Sequence, residues 1–335
     1  MHPRGFGRAL YLTPVATCRL GTFVDVSPSE FDVSDVVRNK AIAAGAQHWL
    51  DNLPSLIDEI AADWDLDVGE PFTDGTEAWV ALVQRADGTP AVLKLCIPRT
   101  GVHPAAHEGA VLRLAGGRGC AELLAADISR DALLMERLGP SLHDLAWPIG
   151  RRHQVLAAAA QAMWRPVDDA VIELGFMSGA DKATWLVDFI TAMWQRLDRP
   201  CSSAAIDHAI TCAERRRAAH DPDHSMLLHG DVHEWNALVV PGTDEVKLID
   251  PDGLIAEPEY DLGIIMREDP VDLLDGNPFE RAARLADVTG YDATAIWEWG
   301  VVERVSTGLL ATDIDLQPVG AQMLHAADVI AAGFV

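Results

Sequence analysis

The segment that most restricts this chain is Leu227-Leu228-His229-Gly230-Asp231-Val232-His233-Glu234-Trp235-Asn236. It runs into the apolar residues 237–240, the turn Pro241-Gly242-Thr243-Asp244-Glu245, and a second apolar run ending at Ile249-Asp250. Two short apolar runs around a Pro- and Gly-bearing turn predict a β-hairpin. Pairing symmetric about Thr243 sets Asn236 opposite Asp250. The open end of that hairpin gathers an amide and a carboxylate, with Asp231 on the loop leading in. Oxygen ligands so arranged suit Mg²⁺, which takes one or two protein oxygens and completes its octahedron with water and nucleotide phosphates. Asp231, five residues before Asn236, is left to take a proton from a substrate hydroxyl.

Upstream, Ala43, Trp49, Leu50, Leu53, Leu56, Ile57 and Ile60 have helical spacing over 41–64, with Pro54 as the expected break. Residues 79–84 and 91–97, joined by Ala86-Asp87-Gly88, predict a hairpin, and Pro104 opens a helix over 104–114. Strand-like 123–128 and 133–135 follow, broken by Ser129-Arg130-Asp131. From Ser141 the pattern changes to long helices, over 151–164 and 180–196. Sheet first and helices later place a lobe boundary near Gly139-Pro140.

His229-Gly230-Asp231-x-His233-x-x-Asn236 with Ile249-Asp250 resembles the catalytic loop and metal-binding Asp of the aminoglycoside phosphotransferase family, relatives of protein kinases. The continuation Asp250-Pro251-Asp252-Gly253 to Pro258-Glu259-Tyr260-Asp261-Leu262 is similar to the branch of streptomycin 6-phosphotransferases and hydroxyurea phosphotransferases. Residues 49–54, 91–94 and 133–138 extend the likeness, so it covers most of 49–270. The resemblance implies an α+β, two-lobed protein-kinase-like fold with a small sheet-rich N-lobe and a larger, mainly helical C-lobe. Its parts would be an N-terminal extension (1–40), a nucleotide-binding N-lobe (41–138) and a C-lobe with catalytic loop and acceptor site (139–335).

The resemblance also implies ATP and Mg²⁺ as cofactors and transfer of the γ-phosphoryl to a hydroxyl of a small molecule, a streptomycin-type aminoglycoside first. Asp231 is then the catalytic base, and Asn236 and Asp250 hold the metal. Lys94, in an apolar strand, contacts phosphates and pairs with Glu108, 14 residues on in the next helix. The backbone of Glu136, Arg137 and Leu138 meets the adenine. Asp252 replaces the Lys common in this branch, and Asp261 braces the catalytic loop. Gly69 to Thr76 supplies two glycines where the family has a glycine-rich cover, and no GxxxxGK[ST] loop occurs. Another sugar, amino alcohol or metabolite as acceptor keeps the same chemistry. A nucleotide-binding pseudokinase is the reading from a different class, and intact Lys94, Asp231, Asn236 and Asp250 oppose it.

Charge narrows the partners. Against 51 Asp and Glu stand 26 Lys and Arg, net −25, which argues against nucleic acid binding through a basic surface. From Asp250 to Val335, 17 acids face four arginines and no lysine. Acids there, among them Glu257, Glu268, Asp269, Asp272 and Asp275, would favour a cationic acceptor, or else belong to a generally acidic surface. Five cysteines without a CxxC pair fit a reducing, cytoplasmic setting, and no apolar run is long enough to span a membrane. Residues 1–20 only faintly echo a lipoprotein export signal. The i, i+4 histidine pairs 229/233 and 103/107 are weak zinc candidates, since Gly230 interrupts the first and the second lacks a third ligand.

Overall fold

The structure is a computed structural model that describes residues 33–73, 75–100 and 103–333. The N-terminal extension and export-signal readings therefore lie mostly or wholly outside the described residues. In chain order the elements begin with α1 (Asp35–Ala43), α2 (Gln47–Trp64), β1 (Leu66–Phe72), β2 (Ala78–Arg85) and β3 (Pro90–Cys96). Then come α3 (Pro104–Ala115), β4 (Leu123–Asp127), β5 (Ala132–Glu136), α4 (Leu142–Leu145), α5 (Ile149–Met163), β6 (Arg165–Pro166), α6 (Asp169–Glu173) and β7 (Met177–Ser178). Two long helices, α7 (Gly179–Arg196) and α8 (Ser203–Ala219), precede the short strands β8 (Met226–Leu228), β9 (Ala237–Val239), β10 (Val246–Leu248) and β11 (Leu254–Ala256). The chain ends in α9 (Glu259–Arg267), α10 (Pro270–Leu273), α11 (Phe279–Thr289), α12 (Ala293–Asp313) and α13 (Val319–Gly333).

These elements form two compact units, one from described residues 33–177 and 225–255, the other from 178–224 and 256–333. In the first, an antiparallel sheet runs in the order β1-β2-β3-β5-β4. Side chains alternate across its central strand. Ala91, Leu93 and Leu95 of β3 enter an apolar core with Trp49, Leu53, Ile57 and Ile60 of α2, while Lys94 and Cys96 lie on or toward the opposite face. That burial, worth roughly 1.5–3 kcal/mol for each large side chain, holds α2 on the sheet. The helix break falls at Gly45, whose φ is +73°, and not at Pro54, which sits inside α2. Pro54 is exposed and forfeits one hydrogen bond, a cost the packed face of α2 outweighs.

The second unit is helical. α12 is buried around its whole circumference from Ala295 to Ala311, as expected of a helix without a polar face. It packs on α7, α8, α9, α11 and α13. Among the described residues no helix is long and apolar enough to cross a membrane.

Candidate active site

Lys94 lies mid-strand in β3, paired across to Val80 and Leu133, so its Cα is fixed by two neighbours. Its side chain is buried and its ammonium donates to both Glu108 oxygens, at 2.8 and 2.7 Å. α3 supplies Glu108, and Pro104 at its first turn fixes where that helix begins. The same ammonium donates to Asp250 Oδ1 at 2.8 Å. Burial works against the charge on Lys94, but Asp250 and Glu108 outweigh it and hold the amine above the ordinary lysine value. Glu108 is almost fully enclosed whereas the Asp250 side chain is 49% exposed, so the cluster opens on the Asp250 side.

The catalytic-loop segment folds between β8 and β9. Gly230 at φ +88° turns the chain, and the buried His229 bridges it. The His229 Nε2–H donates to the Ile249 carbonyl at 2.9 Å, and Nδ1 accepts the Asp231 N–H at 3.2 Å. Those two bonds assign the neutral tautomer, and burial lowers the His229 pKa in agreement. His233 Nε2 donates to Asp231 Oδ2 at 3.1 Å, and Asn236 Nδ2 donates to the Asp231 carbonyl and to Oδ2 at 3.1 and 3.3 Å. His233 Nδ1 is buried with no hydrogen-bond partner.

The hairpin forms, but one residue out of the expected register. β9 and β10 pair Val239 with Val246 and Ala237 with Leu248, so Asn236 stands opposite Ile249, whose N–H donates to the Asn236 carbonyl at 2.8 Å. Gly242 at φ +79° closes a four-residue turn between Val240 and Glu245, where five residues had been expected. Asp250 is the next residue along, itself at φ +57°. Gly253 is confined for steric reasons: a Cβ there would lie 2.6 Å from the Phe176 ring and 2.9 Å from Val111.

A divalent cation fits this donor set. The Asn236 nitrogen is committed to Asp231, so its oxygen is the end it offers, and the Asp250 carboxylate already takes a cation, the Lys94 ammonium. In the stretch expected to meet the adenine, Glu136 ends β5 and its N–H is bound to the Glu122 carbonyl at 3.0 Å. Its side chain takes Lys247 Nζ at 2.5 Å and the Glu122 N–H at 2.7 Å, and Leu138 is buried. Gly69 and Glu70 belong to strand β1, beside a bulge between Val68 and Pro71, and Asp74 lies outside the described residues. His103 and His107 part company, one toward Asp131 and the other edge-on to Phe176. Sequence reasoning missed His143 and Arg152, which both reach Glu234 on the catalytic loop.

A buried Lys–Glu pair that joins a five-stranded antiparallel sheet to helix α3, a carboxylate-bearing loop, and an Asn and an Asp at the open end of the following hairpin define the kinase-like phosphotransferase fold. Solved structures agree: a thermostable mutant of aminoglycoside phosphotransferase APH(4)-Ia, in ternary complex with ADP and hygromycin B, aligns with TM-score 0.56 and 14% identity over 82% of this chain and 97% of that one. Residues 64–305 match the aminoglycoside/hydroxyurea antibiotic resistance kinase family. The chain belongs to that family and is an O-phosphotransferase. A hydroxyurea phosphotransferase of Kitasatospora aureofaciens is 32% identical over 73% of this chain and 68% of its own. A streptomycin 6-kinase of Streptomyces glaucescens is 28% identical over 78% and 84%.

Proposed function

We propose that the chain transfers the γ-phosphoryl of ATP, with Mg²⁺, to a hydroxyl of a streptomycin-type aminoglycoside. The observation that carries this reading is the Lys94 ammonium held between Glu108 and a half-exposed Asp250, with Asp231 and Asn236 hydrogen-bonded on the adjoining loop. Lys94 holds phosphate oxygens, and Glu108 keeps its amine charged and aimed. Asp231, its carboxylate oriented by His233 and Asn236, accepts the proton of the acceptor hydroxyl. Asn236 and Asp250 would hold the Mg²⁺, which when bound neutralises phosphate charge. The backbone at 136–138 would meet the adenine, and alignment with charge stabilisation would supply most of the rate.

One observation favours a smaller, neutral acceptor as a second reading. Among the acids expected to attract a polycation, Glu257 is paired with Arg216, Glu268 with Arg267 and Asp272 with Arg281. A relative named for hydroxyurea points the same way. ADP release from ATP and Mg²⁺ with a panel including streptomycin and hydroxyurea separates the readings. With the acceptor so found, Asp231→Ala is expected to lower turnover by about 10³-fold or more while nucleotide still binds. Near-normal turnover of that variant overturns the assignment of Asp231.

A further inference from the structure

Between the base and the metal-side amide, the catalytic loop carries Glu234 and Trp235, and neither has a part in the proposed chemistry. Glu234 is held on both oxygens. Its Oε1 accepts His143 Nδ1–H at 2.8 Å, and its Oε2 forms an ion pair with Arg152 Nη1. The two partners come from different helices, α4 and α5, which follow directly on the stretch after Leu138. The His143 ring also stacks on Trp235, centroids 3.4 Å apart and planes 20° from parallel. Glu234, Trp235 and Asn236 form one turn of 3₁₀ helix, so whatever fixes the first two fixes the third.

The opposite end of this block is closed as well. The Gly139 N–H donates to the Val239 carbonyl at 2.7 Å and the Val239 N–H to the Pro140 carbonyl at 3.0 Å. The stretch after Leu138 is thereby bound to β9, which begins one residue after Asn236. The turn bearing Asn236 is pinned from both sides by the segment that leaves β5.

We propose that Glu234 is a positioning residue: by engaging His143 and Arg152 it fixes the Asn236 side chain and so sets the affinity of the nucleotide-bound enzyme for its divalent cation. This rests on the reading of Asn236 as a metal-holding residue. A carboxylate suits the task because both partners are donors and each needs an oxygen. Glutamine offers one oxygen, and its NH₂ would face the other donor. The Glu234 side chain is 14% exposed and that of Arg152 12%, so the pair is shielded from screening that weakens surface ion pairs.

The test is Mn²⁺ binding to the full chain saturated with a non-hydrolysable ATP analogue, followed by calorimetry, with analogue binding in EDTA and the thermal midpoint measured beside it. Glu234→Gln is expected to weaken Mn²⁺ binding by about tenfold, a size typical for groups that orient metal ligands, with analogue binding in EDTA within about twofold. His143→Gln, which keeps an N–H donor, is expected to stay near wild type. His143→Ala, at a 43% exposed side chain that the fold can lose, is expected to cost about threefold and serves if Glu234→Gln does not fold. Unchanged Mn²⁺ affinity in Glu234→Gln, or in His143→Ala if that variant has to serve, overturns the proposal. Unchanged Mn²⁺ affinity of the analogue-saturated chain in Asn236→Ala overturns the reading of Asn236, and the proposal with it.

Discussion

In the sheet-bearing unit, the buried Lys94 ammonium meets Glu108 and an Asp250 side chain that is 49% exposed. In the helical unit, the buried guanidiniums of Arg267, Arg281 and Arg304 meet Glu303, Asp272 and the last carbonyls of α9. Arg281 donates to the Met266, Glu268 and Asp269 carbonyls, and Arg304 to those of Met266 and Arg267. Met266 and Arg267 carry carbonyls that the end of α9 leaves without helical partners, and Glu268 and Asp269 lie in the link to α10, so arginine there finishes the architecture of this corner. Both units thus bury cations, and each cluster includes a half-exposed carboxylate, Asp250 at 49% and Asp272 at 50%. The difference is that Arg281 and Arg304 also take up backbone carbonyls, whereas Lys94 is held between two carboxylates. Buried charge alone marks no active site. What the cation meets distinguishes the two uses: carbonyls at a helix end in one, the carboxylates of the candidate site in the other.

The sharpest way to break this comparison is to remove one cation from each unit. Lys94→Met is expected to lower kcat/KM by on the order of 10³-fold, because the charge proposed to align the phosphates disappears from the site. It also takes the ammonium partner from the buried Glu108 carboxylate, at a cost of about 3–5 kcal/mol in stability. Arg304→Met is expected to leave kcat/KM within about threefold. Burial, reinforced by Arg281 and Arg267, lowers the Arg304 pKa to about 9, so the folded chain already holds this cation at a disadvantage. Replacing it with an apolar side chain of similar length removes that buried charge but takes a donor from the Arg267 and Met266 carbonyls, so stability should fall by about 1–3 kcal/mol. Steady-state kinetics and urea midpoints on both variants check the pair, and comparable loss of activity in the two would erase the distinction.

The second comparison concerns acids. If the carboxylates after Asp250 steered a polycation into place, acceptor KM would climb steeply with salt. Three of the five singled out are paired with arginines inside the helical unit. Those pairs cap and brace helices and spend little field on the surroundings. The KM for whichever acceptor turns over is therefore expected to change by less than about threefold between 0.05 and 0.5 M salt. A tenfold rise would restore the steering role and point to acids outside these pairs.

How far these sites were legible depended on how local their causes are. The loop from His229 to Asn236 and its hairpin were readable because turn residues and apolar runs act over a few positions. The register slipped by one because Gly242 adopts a left-handed conformation, which lets four residues close the turn. The break in the first helical stretch was placed at Pro54 because proline is the stronger breaker in isolation. Tertiary packing of α2 carried the helix through it. Strand β1 carries Gly69 and Pro71 and no fully buried side chain, so nothing in its alternation announced a strand. Lys94 and Glu108 were brought together by resemblance and then by geometry. The clamp on Glu234 was invisible, since His143 lies 91 residues away and only the folded chain joins them.

The smallest expected effect also separates the units, because it belongs to the catalytic loop alone. His229 is fully buried, donates to Ile249 and accepts from the Asp231 N–H, so a second proton on Nδ1 would confront a donor. Burial lowers its pKa below 6.5, while Asp231, the Ile249 carbonyl and Asp252 oppose the shift and His233 adds to it. In the unfolded chain this histidine takes up a proton near pH 6.5, and in the folded chain only at lower pH. Between those values the unfolded state binds more protons, so stability is fully present above pH 6.5 and declines as pH falls below it. One such proton contributes a slope of at most about 1.4 kcal/mol per pH unit. His229→Gln, which keeps a donor for Ile249 and an acceptor for the Asp231 N–H, is expected to flatten that part of the decline. Urea midpoints for both chains at pH 7.5, 6.5 and 5.5 measure it, and parallel curves would assign the acid sensitivity to groups elsewhere in the fold.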